Sequence, residues 1–187
     1  MKFISMEKVR DGKYLKSYEL TYLNKAGKEK KYEIVSRKNL ESVDDIGKHS
    51  SGVSIVATYN GKLLLLQEFR MGVNKTIYNL CAGMQEEQES IEECIARELF
   101  EETGLCLKEI KEILPPSFAA VAISDTKTNI AFVEVDGSFS DHTSENEEID
   151  ACFYTKDEVK ELLKHAEFSS RAQLAAYFFA YSDYFSQ

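Results

Sequence analysis

The sequence lacks the features of membrane-spanning, secreted or nucleic-acid-binding proteins. No apolar run approaches the roughly 20 residues that span a bilayer, and residues 1–5 give way to charged residues too early for a secretory signal. The formal net charge of -9 argues against broad binding to nucleic acid, which needs a basic surface. We therefore expect a cytoplasmic protein with neither nucleic-acid nor membrane partners.

The sequence also gives no support to a zinc site or a disulfide. The four cysteines, Cys81, Cys94, Cys106 and Cys152, form no closely spaced pair, and the three histidines are scattered singly. We interpret the cysteines as reduced core residues, three of them in apolar surroundings, and the histidines as surface residues.

The composition is that of one ordinary folded domain. The chain has 187 residues, of which 43% are apolar and 29% charged. No repeat, low-complexity tract or linker interrupts it. We expect a single domain over residues 1–187, with an N-terminal hairpin and connector in residues 1–50 and the main core in residues 51–187.

Two hairpins are the clearest strand signals. Period-two alternation on either side of the turn-forming residues 24–28 predicts the first, and Asn60-Gly61 between two apolar runs predicts the second. The four leucines of residues 63–66 indicate a strand buried on both faces. Further strands are predicted at 77–80, 110–114 (ended by Pro115-Pro116), 129–135 and 151–154, and helices at 90–103, 156–165 and 170–185.

The helix predicted at 90–103 carries the most informative side chains. Ser90 and Glu93 have the spacing of a capping box, and Gly104 follows as a C-terminal stop. Since Glu98 and Glu102 are four positions apart on a helix of about 3.6 residues per turn, they lie on one face, and Glu101 lies close to them. The apolar residues Ile91, Cys94 and Ile95 fall on much the same side.

Three carboxylates on an inward face are costly to bury, and the C-terminal end of a helix disfavours negative charge. Cations offset both costs. Oxygen ligands without nearby histidine or cysteine favour Mg²⁺, with Mn²⁺ as the other candidate. Because Mg²⁺ usually completes its coordination with water and phosphate oxygens, the pattern points to phosphoryl chemistry.

The segment 83–105 resembles the Nudix box, the signature of the Nudix hydrolase superfamily. Every specified position of that signature is matched, by Gly83, Glu89, Arg97, Glu98, Leu99, Glu101, Glu102, Gly104 and Leu105. Weaker similarity to the ADP-ribose pyrophosphatase branch covers most of the chain, in segments 32–37, 67–70, 78–83 and 145–149. The resemblance implies an α/β fold, namely the α/β/α sandwich of the family with a mixed central sheet and an N-terminal β-hairpin region.

The resemblance also implies roles for individual residues. Glu98 and Glu102 would be the principal metal ligands, joined by Glu101, the Ala82 carbonyl and Glu147. Glu145 would be the base that orients the attacking water. Arg97 would pair with Glu89 and hold the box loop on the helix, and Arg37 and Arg70 would contact substrate phosphate or ribose unless they form structural ion pairs. Residues 51–187 would be the catalytic core, and residues 1–50 would form the interface of a homodimer.

The implied activity is metal-dependent hydrolysis of ADP-ribose to AMP and ribose 5-phosphate. Two departures leave the substrate open: Asn79 stands where the branch often has glutamate, and residues 120–125 lack the Pro and Gly of the branch's loop. Another nucleoside diphosphate sugar, or another dinucleotide, therefore stays possible. The alternatives from other classes are a nucleoside triphosphatase and a Nudix-fold module that senses a nucleotide without cleaving it.

Overall fold

The computed structural model describes residues 1–140 and 148–182. These residues form ten strands and three α-helices, with a short 3-10 helix at Val43–Asp45. In chain order the elements are β1 (Lys2–Asp11), β2 (Lys16–Leu23), β3 (Glu29–Ser36), β4 (Ser50–Tyr59), β5 (Lys62–Arg70), β6 (Lys75–Asn79), β7 (Cys81–Met84), α1 (Ile91–Thr103), β8 (Cys106–Phe118), β9 (Lys127–Asp136), β10 (Ile149–Tyr154), α2 (Lys156–His165) and α3 (Ser170–Tyr181).

The chain divides into two compact units. The first consists of Met1–Ser51 and Pro116–Thr128, and the second of Gly52–Pro115 and Asn129–Gln187. The sequence predicted a hairpin and connector within residues 1–50, and these residues lie in the first unit. It did not predict that residues 116–128 belong with the N-terminal segment.

The N-terminal unit contains a three-stranded antiparallel sheet in the order β1-β2-β3. The β2–β3 hairpin confirms the prediction from period-two alternation, and its inward side chains Tyr18, Leu20 and Ile34 form a small core with Leu40 of the following connector. β1 was missed. It is rich in charged residues and mostly exposed, so its place in the sheet comes from backbone pairing with β2 rather than from an apolar pattern.

Segment 116–128 attaches to this unit through hydrogen bonds to β3. The Val35 amide donates to the Ile123 carbonyl at 2.8 Å, and the Tyr32 hydroxyl donates to the Ala122 carbonyl at 2.6 Å. The buried Ser36 hydroxyl donates to the Asp125 carboxylate at 3.0 Å. These bonds join residues that are about 90 positions apart in the chain, which no local pattern can indicate.

The second unit is built on a seven-stranded sheet. Its main order is β10-β5-β4-β9-β8, with β6 pairing with β5 and β7 pairing with β4. The turn between β4 and β5 lies at Asn60 and Gly61, with φ of 48° and 72°, which confirms the predicted Asn-Gly hairpin.

Helices cover both faces of this sheet. Side chains of consecutive strand residues alternate between faces, so Leu64 and Leu66 pack in the cluster that includes α1, whereas Leu63 and Leu65 pack in the cluster that includes α2 and α3. All four leucines are buried, as the apolar run predicted. The arrangement confirms an α/β/α sandwich with a mixed sheet.

Some predictions about individual elements were wrong. β8 does not end at Pro115-Pro116 but continues to Phe118; it is the last strand in the sheet order, where a proline lacking its N–H costs no ladder bond. Only two cysteines, Cys81 and Cys94, are buried, and Cys106 and Cys152 are exposed. All four are free thiols, as expected.

The C-terminal helices follow the predicted positions. α2 has the predicted bounds, residues 156–165. α3 begins at Ser170, as predicted, but ends at Tyr181 rather than at Phe185, which lies outside the described residues. Among its aromatic residues only Phe179 is fully buried against the sheet. Within residues 1–140 and 148–182, no helix has the length and apolarity required to cross a membrane.

Leu65→Ala should lower the free energy of unfolding by about 2–5 kcal/mol, because Leu65 is fully buried and truncation leaves a cavity beneath α2 and α3. Leu174→Ala is the control, since Leu174 is 59% exposed on α3. Urea unfolding followed by circular dichroism measures both. Equal losses in the two variants would contradict the assigned faces of β5 and α3.

Candidate active site

Helix α1 is fixed at both ends by its own sequence. The Ser90 hydroxyl accepts a hydrogen bond from the Glu93 amide at 3.1 Å, and the Glu93 carboxylate accepts one from the Ser90 amide at 2.8 Å. Gly104 adopts the left-handed conformation at φ 76°, and its amide donates to the Phe100 carbonyl. Both features confirm the predicted caps, and together they set which residues of the helix face the sheet.

Glu98 points inward against the backbone of β7. It is only 8% exposed, and a Cβ placed on Gly83 would lie 1.7 Å from the Glu98 carboxyl carbon. Only glycine at position 83 leaves room for this carboxylate. The spacing of these two residues in the box signature is therefore explained here by direct contact between them.

Glu102 lies one turn further along α1 and contacts the same strand. Its carboxylate accepts a hydrogen bond from the Ala82 amide at 3.1 Å and has the buried Cys81 thiol as a further hydrogen-bond neighbour. Burial raises the pKa of Glu102 to about 8, with smaller contributions from the negative charges of Glu98 and Glu68. The pKa of Glu98 is raised as well, mainly by burial, which outweighs the neighbouring guanidinium of Arg97.

These pKa shifts show that the carboxylate pair lacks enough positive charge around it. Within residues 1–140 and 148–182, no basic side chain pairs with Glu102. Among the same described residues, Arg97 is the only basic side chain that pairs with Glu98. Because burial disfavours the charged forms, the pair is stabilised by a proton or by a bound cation.

Arg97 connects the box loop to the helix. Its Nε and Nη2 atoms donate to the two carboxylate oxygens of Glu89 at 2.7 and 3.0 Å, and Nη2 also donates to the Met84 carbonyl at 2.9 Å. The Nη1 atom donates to Glu98 at 2.8 Å and to Glu101 at 2.9 Å. The predicted pairing with Glu89 is confirmed. The contacts with Glu98 and Glu101 were not anticipated.

Glu101 does not share the inward position of Glu98 and Glu102. Its side chain is 53% exposed and turns back to Arg97. The prediction that all three carboxylates lie on the buried face was wrong for Glu101, because the helix surface curves away from the sheet at that position. It is connected to Glu98 through their shared partner, Arg97.

The remaining predicted residues lie in different places. Arg70 is the last residue of β5 and pairs with Glu68. Arg37 belongs to the N-terminal unit, where it helps to line a polar cavity of about 390 Å³. Glu145 and Glu147 lie outside the described residues. In the sequence they are followed by Glu148 and then by β10. The Glu148 carbonyl accepts a hydrogen bond from the Phe69 amide at 3.1 Å.

Two neighbours of the site were not found from the sequence. The Cys81 thiol is fully buried, and burial together with the charge of Glu102 raises its pKa well above the usual value, so it is not a nucleophile. Glu68 has a side chain only 12% exposed and acts electrostatically on Glu102. Its place in a strand outside the box gave no local signal.

The donor chemistry of the site fits a hard divalent cation. The buried groups are carboxylates, and hard cations such as Mg²⁺ prefer oxygen ligands. Within residues 1–140 and 148–182, no three His, Cys, Asp or Glu side chains converge to form a complete metal site. This agrees with the engagement of Glu98 and Glu101 by Arg97.

A model of the NUDIX domain matches residues 48–177, which include the whole of the site described above. The chain belongs to the Nudix family. Enzymes of this family generally use divalent metal ions. The α/β/α sandwich, the Gly83–Glu98 contact and the Arg97–Glu89 pair are therefore features of a Nudix domain in this chain.

Two pyrophosphatases are similar in sequence to this Nudix chain. The ADP-ribose pyrophosphatase of Bacillus subtilis (strain 168) is 33% identical over 113 residues, which cover 60% of this chain and 55% of that protein. The ADP-sugar pyrophosphatase of Mus musculus is 28% identical over 138 residues, which cover 71% of this chain and 61% of that protein. The matches thus span less than two thirds of either relative.

A solved structure described as that of an ADP compounds hydrolase has the same fold. It superposes with a TM-score of 0.73 at 20% identity, covering 95% of this chain and 90% of that one. At this level of identity the similarity establishes the fold of the Nudix chain rather than its reaction.

Arg97→Met should raise the pKa of Glu89 from about 2 toward the ordinary value of 4.5, because the Arg97 guanidinium is the main cause of the depression. Carbon-13 NMR titration without divalent metal measures this. Since the folded-state pKa is lowered, the pair stabilises the fold above pH 4.5, and this stabilisation is lost as the pH falls toward 2. A Glu89 pKa that stays near 2 in the variant would contradict the assigned pair.

Proposed function

We propose that the chain hydrolyses the diphosphate linkage of ADP-ribose, or of a closely related ADP-sugar, to give AMP and a sugar phosphate in the presence of Mg²⁺. The observation that carries this proposal is the pair of the buried Glu98 and the half-buried Glu102, held on a complete Nudix box by Arg97 and Gly83. The names of the two curated relatives support the choice of substrate.

The residues available to hold the metal are Glu98 and Glu102, with Glu101, Glu147 and the Ala82 carbonyl as further oxygen donors. When bound, Mg²⁺ supplies positive charge that offsets the negative charge of the diphosphate. The hydrogen bond from the Ala82 amide restrains one oxygen of Glu102, and the Arg97 guanidinium restrains one oxygen of Glu98. Each carboxylate therefore keeps a fixed orientation before the substrate arrives.

Glu145 is the proposed base that orients the attacking water for roughly in-line displacement at phosphorus. Support comes from Glu148, further along the same acidic stretch of sequence, whose carbonyl accepts a hydrogen bond from the Phe69 amide near the end of β5, next to Glu68. Arg70 follows directly and offers a guanidinium to substrate phosphate or ribose. Arg37 is proposed for the same kind of contact.

A second substrate class is favoured by Asn79. The Asn79 side-chain amide donates to the Glu68 carboxylate. The related pyrophosphatases often carry glutamate at position 79, so the polar groups around Glu68 differ from those of the ADP-ribose pyrophosphatase branch. Another nucleoside diphosphate sugar is the alternative substrate. A panel of ADP-ribose, other nucleoside diphosphate sugars and nucleoside triphosphates, assayed with Mg²⁺ and with Mn²⁺, should show fastest turnover of ADP-ribose.

No phosphate release from any member of that panel would favour a nucleotide-sensing module instead. Fastest turnover of a nucleoside triphosphate would favour the triphosphatase alternative.

Glu102→Gln should lower kcat at least about a hundredfold, since it removes a charge that the reaction requires. The fold should be preserved, because burial already disfavours the charged carboxylate and the amide is nearly isosteric. Glu92→Gln is the matched control on the exposed face of the same helix. Steady-state kinetics and thermal melting in EDTA measure both properties. Near-normal turnover of Glu102→Gln would overturn the assignment.

We also propose a homodimer formed through residues 1–50. The N-terminal unit exposes several apolar side chains, namely Ile4, Val9, Tyr14 and Leu15. Sedimentation velocity should give twice the chain mass of 21.3 kDa. Val9→Glu combined with Leu15→Glu should shift the protein toward the monomer. A wild-type monomer at all concentrations would contradict this proposal.

A further inference from the structure

Glu68 is a mostly buried carboxylate outside the Nudix box. It lies near the end of β5, where its Cα pairs with Ile149 of β10 on one side and with Ile77 of β6 on the other. Its side chain is only 12% exposed, and its charge acts on Glu102. A buried carboxylate so close to another one is costly unless specific partners hold it.

Two partners hold Glu68. The Asn79 side-chain amide donates to its Oε2 atom at 2.8 Å, and the Arg70 Nη1 atom donates to its Oε1 atom. Each carboxylate oxygen thus has a different donor. The carboxylate plane is fixed by the two donors together, and the position of the guanidinium is fixed in turn by the carboxylate.

The orientation of the Asn79 amide is set from its other side. The Ser169 hydroxyl donates to Asn79 Oδ1 at 2.7 Å, so the NH₂ group must face Glu68. Ser169 also accepts the Ala172 amide as the N-cap of α3. The α3 N-terminus therefore determines the direction in which Asn79 donates.

Asn79 also explains why a carboxylate is acceptable at position 68. A glutamate at position 79, as is frequent in the related pyrophosphatases, would face the Glu68 carboxylate at hydrogen-bond distance and repel it. In this chain the amide and the carboxylate are complementary. Of these two facing side chains, Glu68 on β5 carries the negative charge, and it pairs with Arg70.

Arg70 has donors to spare. Its guanidinium has five N–H groups, and its side chain is 54% exposed. Among residues 1–140 and 148–182, Glu68 is its only side-chain partner. Arg171, in the first turn of α3, lies close enough for the two positive charges to interact. An anchored guanidinium with free outward donors is suited to receive phosphate or hydroxyl oxygens.

We propose that Glu68 is a positioning residue for substrate binding, whose carboxylate, held by Asn79, fixes the Arg70 guanidinium toward the phosphate or terminal sugar of the substrate. This rests on the proposed function, since a diphosphate-linked substrate supplies those oxygens. A purely structural role would stabilise the fold without coupling to Arg70 in substrate affinity. A role in the chemical step would change kcat rather than KM.

A double-mutant cycle of Glu68→Gln and Arg70→Ala separates these roles. Each single variant should raise KM about tenfold and change kcat less than about threefold. The double variant should be no worse than Arg70→Ala, because Glu68 acts through Arg70. The affinity for ADP, measured by isothermal titration calorimetry, should follow the same non-additive pattern.

Controls make the outcome decisive. Glu167→Gln removes one partner of the exposed Lys75–Glu167 pair and should leave KM unchanged. If Glu68→Gln proves unstable in thermal melting, Asn79→Ala replaces it in the cycle and should raise KM about threefold. Additive effects of the Glu68 and Arg70 substitutions on KM, or a loss in kcat alone, would overturn the proposal.

The cycle is measured on the panel compound that the wild type hydrolyses fastest. If that compound is not ADP-ribose, the substrate proposal fails while the cycle still tests Glu68. If ADP-ribose is hydrolysed fastest and the effects are additive, the proposal for Glu68 fails alone.

Discussion

The ion pairs of Arg97 are the interaction on which the rest of the site depends. One guanidinium joins the carboxylates of Glu89, Glu98 and Glu101 and the carbonyl of Met84. The loop before α1 would otherwise have little to hold it to the helix, because it is mostly exposed and polar. Since the same loop continues from Gly83, whose backbone touches Glu98, the guanidinium also maintains the narrow space in which that carboxylate lies.

The cost of this arrangement falls on the buried carboxylates. Burial raises the pKa of both Glu98 and Glu102, to about 8 for Glu102, and among residues 1–140 and 148–182 no guanidinium pairs with Glu102. A fold selected for stability alone would place apolar residues at these positions. The retained charge is consistent with a site that is completed by a cation, as is general in the Nudix family.

The end of β5 brings together parts of the second unit that are far apart in the chain. Glu68 pairs with Ile149 of β10, Phe69 binds Glu148, and Asn79 connects this edge to Ser169 at the start of α3. Glu148, strand β6 and the start of α3 therefore meet at the end of β5. This convergence gives Arg70 and Glu68 their proposed place in substrate binding, although neither belongs to the box.

Local features of the sequence determined α1, its caps, both hairpins and the family signature, because each depends on residues close to one another in the chain. They also placed Glu98 and Glu102 on one face and paired Arg97 with Glu89. Only the tertiary structure decided that Glu101 lies outside the buried pair, that β8 continues through its prolines at a sheet edge, and that Glu68 contacts Asn79 and Arg70. Those facts depend on which strands are neighbours and on how a helix surface meets a sheet. Such contacts are set by packing between distant segments, and helical or strand periodicity carries no information about them.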